Sequence, residues 1–426
     1  MTTPGAAPAA GAALEDWLAY ISAQHPATIA LGLERVREVA ARMALPRPPV
    51  VITVGGTNGK GSTCAMLERM LLEAGYRVGC YTSPHLMRYN ERVRVAGVEA
   101  DDRALSASFG QVERARAATP LTYFEYGTLA ALALFAEAQI EIAILEVGLG
   151  GRLDAVNVVD SDCAIVVSVD LDHQAWLGAD REAIGYEKAG IFRPARPAIF
   201  GDRDPPERLR AHAQAIGADL QLLGRDFHFE ASAQQWDFFG RRGAKRALPF
   251  PALRGRWQLN NAACAIAALE ALSERLPISL GELKRALTLV RLAGRLQVIP
   301  GRPSVVLDVA HNPHAARALA QGLGDMGFFE NTFAVFAMLG DKDIGGVIDA
   351  MRNRIDRWFV ASAASERAAS AEEIARLLEG RGLGEATRRF ASVALALEAA
   401  RRAAGANDRI IVFGSFYTVA EALRSA

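Results

Sequence analysis

A short apolar run that leads straight into a glycine-rich loop constrains this chain more than any other feature. Val50–Val54 reads VVITV, and the segment that follows reads GGTNGKGST. The β-branched run predicts a buried strand, and the apolar spacing of Ser62–Ala74 predicts a helix. A strand, a loop that carries glycines, a lysine and a serine, and then a helix form the context of a phosphate-binding loop. We therefore predict a nucleotide site at this point of the chain.

The residue types of this loop suit phosphate chemistry. Glycines let the backbone approach phosphate oxygens, and the N–H groups at a helix N-terminus face negative charge. Lys60 can reach the terminal phosphates, and the Ser62 hydroxyl can reach Mg²⁺. The loop departs from G-x-x-x-x-G-K-[ST], because Val54 stands at the first glycine position and Gly61 separates Lys60 from Ser62. An ordinary glycine-rich turn is the alternative, and the loop alone leaves kinases, ATPases, GTPases and ligases open.

The remaining pattern predicts an α/β fold with two domains. Short β-branched runs alternate with helical patterns, which indicates a mainly parallel sheet covered by helices. The predicted strands are Arg77–Tyr81, Glu141–Val147, Ala164–Val169 and Pro197–Phe200, and a long apolar helix covers Glu125–Ala138. Residues 222–250 are typical of antiparallel strands, and Trp257–Leu272 is typical of a helix. A second alternating series contains the strands Val305–Val309, Phe333–Met338, Trp358–Ala361 and Arg409–Phe413.

Turn residues in Leu296–Pro303 place the predicted domain boundary there. We expect a disordered tail over residues 1–13, an ATP-binding domain over residues 14–298 and a smaller C-terminal domain over residues 299–426. Lys and Arg together number 48, as do Asp and Glu, so net charge gives no reason to expect binding to nucleic acid or membrane. The chain start lacks a signal-peptide pattern, and the four cysteines form no C-x-x-C pair, which favours a cytoplasmic location.

Polar residues follow three of the predicted strands, where ligands usually bind in open α/β sheets. They are Ser83, Glu146 and His173, and together they predict a divalent-ion site. Mg²⁺ prefers oxygen ligands, so a histidine ligand is unusual. Singly, Ser83 is equally compatible with capping a turn before Pro84, and His173 with a structural role. The basic residues Arg88, Arg92 and Arg94 follow Ser83 and suit either an acidic substrate tail or a solvated loop.

Lys188 stands in the segment YEKAGIF on a predicted helix. From the residues alone, the favoured interpretation is a solvated lysine that pairs with the neighbouring Glu187.

An ordered set of motifs extends through the chain after the tail. The motifs are GGTNGKGST, TSPHL, ERVRVAG, TYFEYGT, LEVGLGGRLDA, DH-x-x-WLG, EKAGIF, DVAHNPHA and FGSF-x-TVAEAL. In this order they closely resemble the folylpolyglutamate synthase/dihydrofolate synthase family of Mur-type peptide ligases. The resemblance implies a P-loop central domain of the Mur-ligase type and a Rossmann-like C-terminal domain. It also implies that ATP phosphorylates a carboxylate and that the amine of glutamate displaces phosphate from the acyl phosphate.

The resemblance also implies roles for individual residues. The residues implied to bind the nucleotide are Thr57, Asn58, Gly59, Lys60, Gly61, Ser62, Asn261, Arg295 and Asp308. The implied ligands of two Mg²⁺ ions are Ser62, Ser83, Glu146, His173 and a carbamate on Lys188. The implied dihydropteroate contacts are Thr122, Tyr123, Phe124, Glu125, Leu153, Asp154 and Ala155, and His311 and Ser415 are implied on the glutamate side. Lys60, Lys188 and His311 are the implied catalytic residues. One departure is Trp257-Gln258, where many relatives carry His-Gln.

We therefore expect a monomeric ligase that uses ATP, L-glutamate, dihydropteroate and folates. Phe124 would stack on a flat ring, and Asp154 would accept hydrogen bonds from the pterin; the alternative for Asp154 is capping of the next turn or an ion pair with Arg152. A cell-wall ligase of the Mur type is a rival, against which the TYFEYGT and SPHL segments argue. A regulatory P-loop ATPase is the other rival, and it leaves the second domain and Lys188 without a role.

Overall fold

Two units, each built around its own sheet, make up the chain. The computed structural model describes residues 6–9, 11–25 and 30–425. The first unit comprises Met1–Ala252 and Leu259–Val290, and the second comprises Leu253–Gln258 and Arg291–Ala426. The division precedes the predicted boundary because residues 297–299 form a strand of the second sheet, paired with Ser304–Asp308. Of the predicted tail, residues 6–9 and 11–13 carry no helix or strand, and the others lie outside the described residues.

The first unit holds an eight-stranded sheet, in the order β4-β3-β2-β5-β1-β6-β7-β8. Its strands are β1 (Val50–Gly55), β2 (Val78–Tyr81), β3 (Val93–Val95), β4 (Val98–Glu99), β5 (Ile142–Glu146), β6 (Cys163–Val166), β7 (Pro197–Phe200) and β8 (Asp219–Leu222). Strand β1 pairs in parallel with β5 on one side and β6 on the other. Every residue of β1 is buried, because helices cover both faces of a parallel sheet. The mainly parallel α/β sheet that the sequence predicts is confirmed.

Helices connect and cover these strands. They are α1 (Leu14–Ser22), α2 (Glu34–Met43), α3 (Lys60–Glu73), α4 (Asp102–Arg116), α5 (Tyr123–Glu137), α6 (Gln174–Leu177), α7 (Arg181–Ala189), α8 (Glu207–Ala215), α9 (Trp257–Ala271) and α10 (Leu280–Leu289). They belong to the first unit except for the first two residues of α9. Short 3-10 helices cover Tyr89–Arg92 and Ala155–Val158. Among the described residues, none of the helices is long and apolar enough to cross a membrane.

A small antiparallel sheet interrupts the alternating pattern. It contains β9 (His228–Ala231), β10 (Trp236–Gly240) and β11 (Gly243–Leu248) in the order β11-β10-β9. Phe238 of the middle strand is opposite Phe229 and is fully buried, so the apolar alternation of this segment reflects a one-sided sheet. The antiparallel prediction for residues 222–250 is confirmed.

The second unit holds a six-stranded sheet in the order β12-β13-β17-β14-β15-β16. The strands are β12 (Gln297–Ile299), β13 (Ser304–Asp308), β14 (Thr332–Phe336), β15 (Arg357–Ala361), β16 (Thr387–Phe390) and β17 (Arg409–Phe413). The helices are α11 (Pro313–Gly324), α12 (Ile344–Met351), α13 (Ala371–Glu379), α14 (Val393–Ala403) and α15 (Phe416–Arg424), and a 3-10 turn covers Arg352–Arg354. Strand β12 is antiparallel to β13, and the other strand pairs of this sheet are parallel. The side chains of Phe336, Trp358 and Phe413 pack together in the core.

Candidate active site

The phosphate loop is an uncapped helix start. Helix α3 begins at Lys60, and its N-cap, Gly59, has a φ of 86° and offers no side chain to the first turn. The first N–H groups of α3 are therefore left for an anionic ligand. Gly56 has a φ of 144°, and a Cβ atom there would lie 3.2 Å from the backbone nitrogens of Val167 and Ser168. Glycine at this position lets the loop lie directly against the end of β6.

Hydrogen bonds fix the loop to the segment that follows β6. The Thr57 N–H donates to the Ser168 carbonyl at 2.8 Å. The Thr57 hydroxyl donates to the Asp170 carbonyl at 3.0 Å and accepts from the Asp170 N–H at 3.0 Å. The Asn58 N–H donates to the Ser168 hydroxyl at 3.1 Å. The loop conformation is therefore set by protein contacts.

Lys60 and Asn261 lie at this loop, as the resemblance implied for nucleotide-binding residues. The Lys60 ammonium donates to the carbonyls of Gly56 at 3.0 Å and Thr57 at 3.2 Å, so it bends back over the loop. The side chain of Asn261, on α9, lies against Gly59, since a Cβ atom on that glycine would be 2.5 Å from Asn Oδ1. Gly61 is the second residue of α3, and Ser62 in the same turn is 2% exposed.

Two of the expected metal ligands meet at the ends of neighbouring strands. Glu146 ends β5 and is buried, and its Oε2 accepts a hydrogen bond from the Ser83 N–H at 3.0 Å. Within residues 6–9, 11–25 and 30–425, no three His, Cys, Asp or Glu side chains are grouped to hold a metal ion. The nearby donors are instead carboxylate and hydroxyl oxygens, which suit Mg²⁺ with ligands completed by phosphate and water. His173 lies at the start of α6 with a φ of 51°, and its side chain is 37% exposed.

The structure corrects the interpretation of Lys188 that the residues alone favoured. Its side chain is buried, and Glu187 pairs with Arg152 at 2.8 Å. Burial, followed by the positive charge of Lys60, lowers the pKa of Lys188 to about 7, and Asp172 and Asp154 oppose the shift. Much of the amine is therefore neutral near pH 7, and a neutral amine is the form that reacts with CO₂.

Thr122 and Glu125 form the first turn of α5. The Thr122 N–H donates to Glu125 Oε2 at 2.8 Å, and the Glu125 N–H donates to the Thr122 hydroxyl at 3.2 Å. This capping box starts the helix at Tyr123, ahead of the predicted start at Glu125. Glu125 also pairs with Arg35 at 3.0 Å. Both side chains therefore have a structural task at the place where the resemblance implies substrate contacts.

Phe124 and Tyr123 belong to an aromatic cluster. The Phe124 ring lies 5.8 Å from the Tyr81 ring. It also covers Gly148, because a Cβ atom there would be 2.7 Å from the Phe124 ring. The Tyr123 ring lies 5.9 Å from the Tyr89 ring. The glycine loop after β5 thus accommodates an aromatic ring that a larger residue would displace.

Asp154 is buried in the turn that follows this loop. Its carboxylate accepts from the Leu149 N–H at 2.8 Å and from the Val156 N–H at 3.1 Å, which caps the 3-10 helix Ala155–Val158. Of the two structural alternatives, capping is present, whereas the ion pair of Arg152 is made with Glu187. Burial raises the pKa of Asp154 to about 7, against the lowering effect of the backbone N–H groups. The carbonyl of the flanking Leu153 accepts a hydrogen bond from the Gly32 N–H at 3.3 Å.

Sequence reasoning missed the paired side chains of His85 and Arg92. The Arg92 Nε–H donates to His85 Nδ1 at 2.9 Å. Burial and the charge of Arg92 lower the pKa of His85 to about 4, so the imidazole is neutral at physiological pH. Arg94 forms an ion pair with Glu68 at 2.8 Å, and Arg88 forms an exposed one with Glu99 at 2.9 Å. A partly buried histidine cannot be distinguished from an exposed one by its sequence pattern.

Four residues predicted to belong to the site gather at one edge of the second unit's sheet. They are Arg295, Asp308, His311 and Ser415. Asp308 ends β13 and accepts from the N–H groups of Leu296 at 2.7 Å and Ala310 at 2.8 Å. Burial raises the pKa of Asp308, and the charge of Arg295 opposes the shift.

Phe416 lies between the other members of this group. The Arg295 guanidinium is 5.1 Å from the Phe416 ring centroid, and the His311 ring is 6.4 Å from it. His311 Nδ1 lies 2.9 Å from the Val309 carbonyl, which requires the proton on that nitrogen. The Ser415 hydroxyl accepts from the Thr418 N–H at 3.0 Å and so caps α15.

Comparisons with known proteins match both units. The model of the Mur ligase middle domain matches residues 54–269, and the model of the Mur ligase glutamate ligase domain matches residues 294–416. The dihydrofolate synthase/folylpolyglutamate synthase of Escherichia coli (strain K12) is 47% identical over 417 residues, which cover 98% of this chain and 96% of the relative. The corresponding protein of Haemophilus influenzae is 40% identical, with 96% of each chain covered.

Solved structures agree with these matches. E. coli FolC in complex with DHPP and ADP has a TM-score of 0.93 and 46% identity, with 98% of each chain covered. A bifunctional folylpolyglutamate synthase/dihydrofolate synthase with Mn, AMPPNP and L-glutamate bound has a TM-score of 0.91 and 43% identity, with 99% of each chain covered. The chain therefore belongs to the dihydrofolate synthase/folylpolyglutamate synthase family of ATP-dependent ligases, within the Mur ligase superfamily.

Proposed function

We propose that this protein joins the amino group of L-glutamate to a carboxylate of a folate-type acceptor. Its acceptors are dihydropteroate, which yields dihydrofolate, and the glutamate tail of reduced folates. The relatives that share almost the full length of the chain carry both activities in their names.

The observation that carries the proposal is a set of contacts at one edge of the first sheet. Thr57 of the phosphate loop is hydrogen-bonded to Asp170 after β6. Glu146, at the end of β5, is bonded to Ser83 after β2. The loop that follows Glu146 contacts Phe124 through Gly148. The residues proposed for nucleotide, metal and acceptor are therefore adjacent, which suits transfer of a phosphoryl group from ATP to an acceptor carboxylate.

The proposed reaction consists of two successive nucleophilic displacements. A carboxylate oxygen of the acceptor attacks the γ-phosphorus, the bond to the ADP oxygen breaks, and an acyl phosphate forms. The glutamate amine then attacks the acyl carbon, phosphate leaves with the bonding electron pair, and the amine loses its proton to a base. Lys60 and the N–H groups at the start of α3 offset the charge of the phosphates.

Magnesium chemistry fits the oxygen donors at this edge. Ser62, Ser83, Glu146 and a carbamate on Lys188, with His173, would hold two Mg²⁺ ions, which when bound supply positive charge against the phosphates. We propose the carbamate from the family resemblance, and the buried position of Lys188 supports it. Incubation with ¹³C-bicarbonate followed by ¹³C NMR tests it directly.

The family resemblance is also the source of the roles that we propose for residues of the second unit. Asp308 and Arg295 would bind the nucleotide, and His311 and Ser415 would act on the glutamate side. The clustering of Arg295 and His311 around Phe416 supports this assignment. We also propose that the protein is a cytoplasmic monomer. Light scattering of the purified protein and fractionation of the source cells check these two points.

An acceptor comparison tests the function. Purified protein is incubated with ATP, Mg²⁺ and labelled glutamate, with either dihydropteroate or tetrahydrofolate, and both label transfer and ADP release are measured. We expect label in both acceptors and ADP release only when glutamate and an acceptor are present. A UDP-linked acceptor used instead would support the cell-wall alternative, and ADP release without any acceptor would support the regulatory ATPase.

A further inference from the structure

An exposed tryptophan, Trp176, lies on a short helix that packs on the loop proposed to contact the acceptor. Of the five tryptophans, Trp17, Trp236 and Trp358 are at most 3% exposed, whereas Trp176 is 45% exposed. A tryptophan side chain is large and apolar, so leaving nearly half of it in water forgoes a substantial hydrophobic gain. On a helix that packs against a proposed binding loop, such exposure is typical of a side chain that a ligand covers.

The helix that carries Trp176 is held in place by Leu177. Helix α6 follows His173, with a φ of 51°, and precedes Gly178, with a φ of 109°. The N–H groups of Trp176 and Leu177 donate to the His173 carbonyl at 2.9 and 3.1 Å. Leu177, which is 5% exposed, packs on Gly150, because a Cβ atom there would lie 2.9 Å from Leu177 Cδ2. The neighbouring indole is therefore carried by an anchored turn.

The loop beneath α6 is the one that contacts Phe124 and Asp154. Gly148 lies under the Phe124 ring, the Leu149 N–H donates to Asp154, and Gly150 receives Leu177. Three consecutive residues thus connect α6 to two side chains proposed to bind the pterin. On the other side, Asp170 ties the same segment to Thr57 of the phosphate loop. The segment over residues 170–177, which carries Trp176, therefore contacts both the phosphate loop and the loop that touches Phe124 and Asp154.

We propose that Trp176 is a substrate-contacting residue whose indole covers a flat aromatic part of the acceptor and sets affinity for it. The inference rests on the proposed function, because it needs an acceptor that contains aromatic rings. An indole face stacks favourably on such rings, whereas L-glutamate and the phosphates of ATP offer no ring to stack on. The adenine of ATP is the other flat ring in the reaction, and the test separates it from the acceptor.

The test compares Trp176→Phe, Trp176→Leu and Trp176→Ala with the wild-type enzyme. Binding of dihydropteroate is measured by equilibrium dialysis in the presence of ADP and Mg²⁺, and KM is measured for acceptor, ATP and glutamate. We expect Trp176→Ala to raise the Kd and KM for dihydropteroate about tenfold, and Trp176→Leu somewhat less. Trp176→Phe restores most of the affinity, and KM for ATP and glutamate stays within about twofold.

Phe328→Ala serves as the matched control, since Phe328 is 90% exposed in the second unit and should leave acceptor binding unchanged. Unchanged acceptor affinity in the Leu variant would overturn the inference, as would a larger effect on ATP than on the acceptor, and the Leu variant decides the matter if the Ala variant does not fold. A wild-type enzyme that fails to use any folate-type acceptor would defeat the proposed function instead, so the two failures are distinguishable.

Discussion

The side chain of Asn261 lies so close to Gly59 that a Cβ atom on the glycine would be 2.5 Å from its Oδ1. The same Cβ atom would be 2.8 Å from Val167 Cγ1. Gly59→Ala must therefore move the side chains of Asn261 and Val167, or the phosphate loop, in addition to accommodating a φ of 86°. We expect ligation to fall by at least about 100-fold through loss of ATP binding, which calorimetric titration with ATP measures.

Gly75→Ala is a matched control for the backbone effect alone. Gly75 has the same φ of 86°, but a Cβ atom there meets nothing within 4 Å. Gly75→Ala should lower the free energy of unfolding only by the strain of a left-handed alanine, about 1–2 kcal/mol. Activity should remain. Equal loss of ATP affinity in the two variants would contradict a specific contact between Gly59 and Asn261.

Lys60→Ala should remove most activity while leaving the fold intact. The Lys60 ammonium donates to the loop carbonyls of Gly56 at 3.0 Å and Thr57 at 3.2 Å, so we expect its charge to act mainly on phosphate. We expect kcat to fall about 100-fold or more with a thermal melting curve close to that of the wild type. Lys284→Ala, on α10, is the control for loss of a lysine. Near-normal turnover would remove Lys60 from the mechanism.

Lys188→Met should abolish activity through loss of the carbamate. The replacement is apolar and similar in length, so it suits the buried position and should not unfold the protein. We expect a ¹³C carbamate resonance in the wild-type protein after incubation with ¹³C-bicarbonate, and its absence in the variant. The carbamate proposal fails if an active, magnesium-loaded wild-type enzyme gives no such resonance.

Asp154→Ala should weaken the use of dihydropteroate more than the use of tetrahydrofolate. Removal of a buried, charge-assisted hydrogen bond costs about 1.5–3 kcal/mol. The expected result is a selective loss of kcat/KM with dihydropteroate in paired assays. Because Asp154 also accepts from Leu149 and Val156, equal losses with both acceptors would assign it a structural role alone.

The pH dependence of stability tests the raised pKa of the Asp154 carboxyl. Burial raises its pKa from 3.8 to about 7, so the folded protein holds a proton that the unfolded chain releases. This contribution to stability is complete below pH 3.8 and is lost as the pH rises through 7. Urea unfolding at several pH values should therefore show that the stability advantage of wild type over Asp154→Asn shrinks from pH 5 to pH 8. A constant difference would contradict the raised pKa.

Periodicity predicted the sheets well because their strands are short, β-branched and buried on both faces. Strands β7 and β17 have the predicted bounds, Pro197–Phe200 and Arg409–Phe413. It failed where local and tertiary effects compete. Residues 297–299 look like a turn region in sequence, yet they form an edge strand because β13 offers unpaired backbone groups beside them.

Some residues of the candidate site could also be predicted from the sequence, and others could not. The phosphate loop could be predicted because its glycines, lysine and helix start are consecutive. The state of Lys188 could not, because a neighbouring Glu187 in sequence implies a solvated pair, whereas Glu187 pairs with Arg152 in the fold. Burial of a charged side chain depends on residues that are distant in sequence, and no local pattern records them.

The reciprocal hydrogen bonds between Thr57 and Asp170 have a thermodynamic consequence. They close a ring between the phosphate loop and the segment after β6, so this part of the backbone loses its conformational freedom when the chain folds. An incoming triphosphate therefore meets a surface whose entropy has already been reduced, and little of its interaction free energy is used to order the loop. Replacing Thr57 with valine would move that entropic cost from folding to binding.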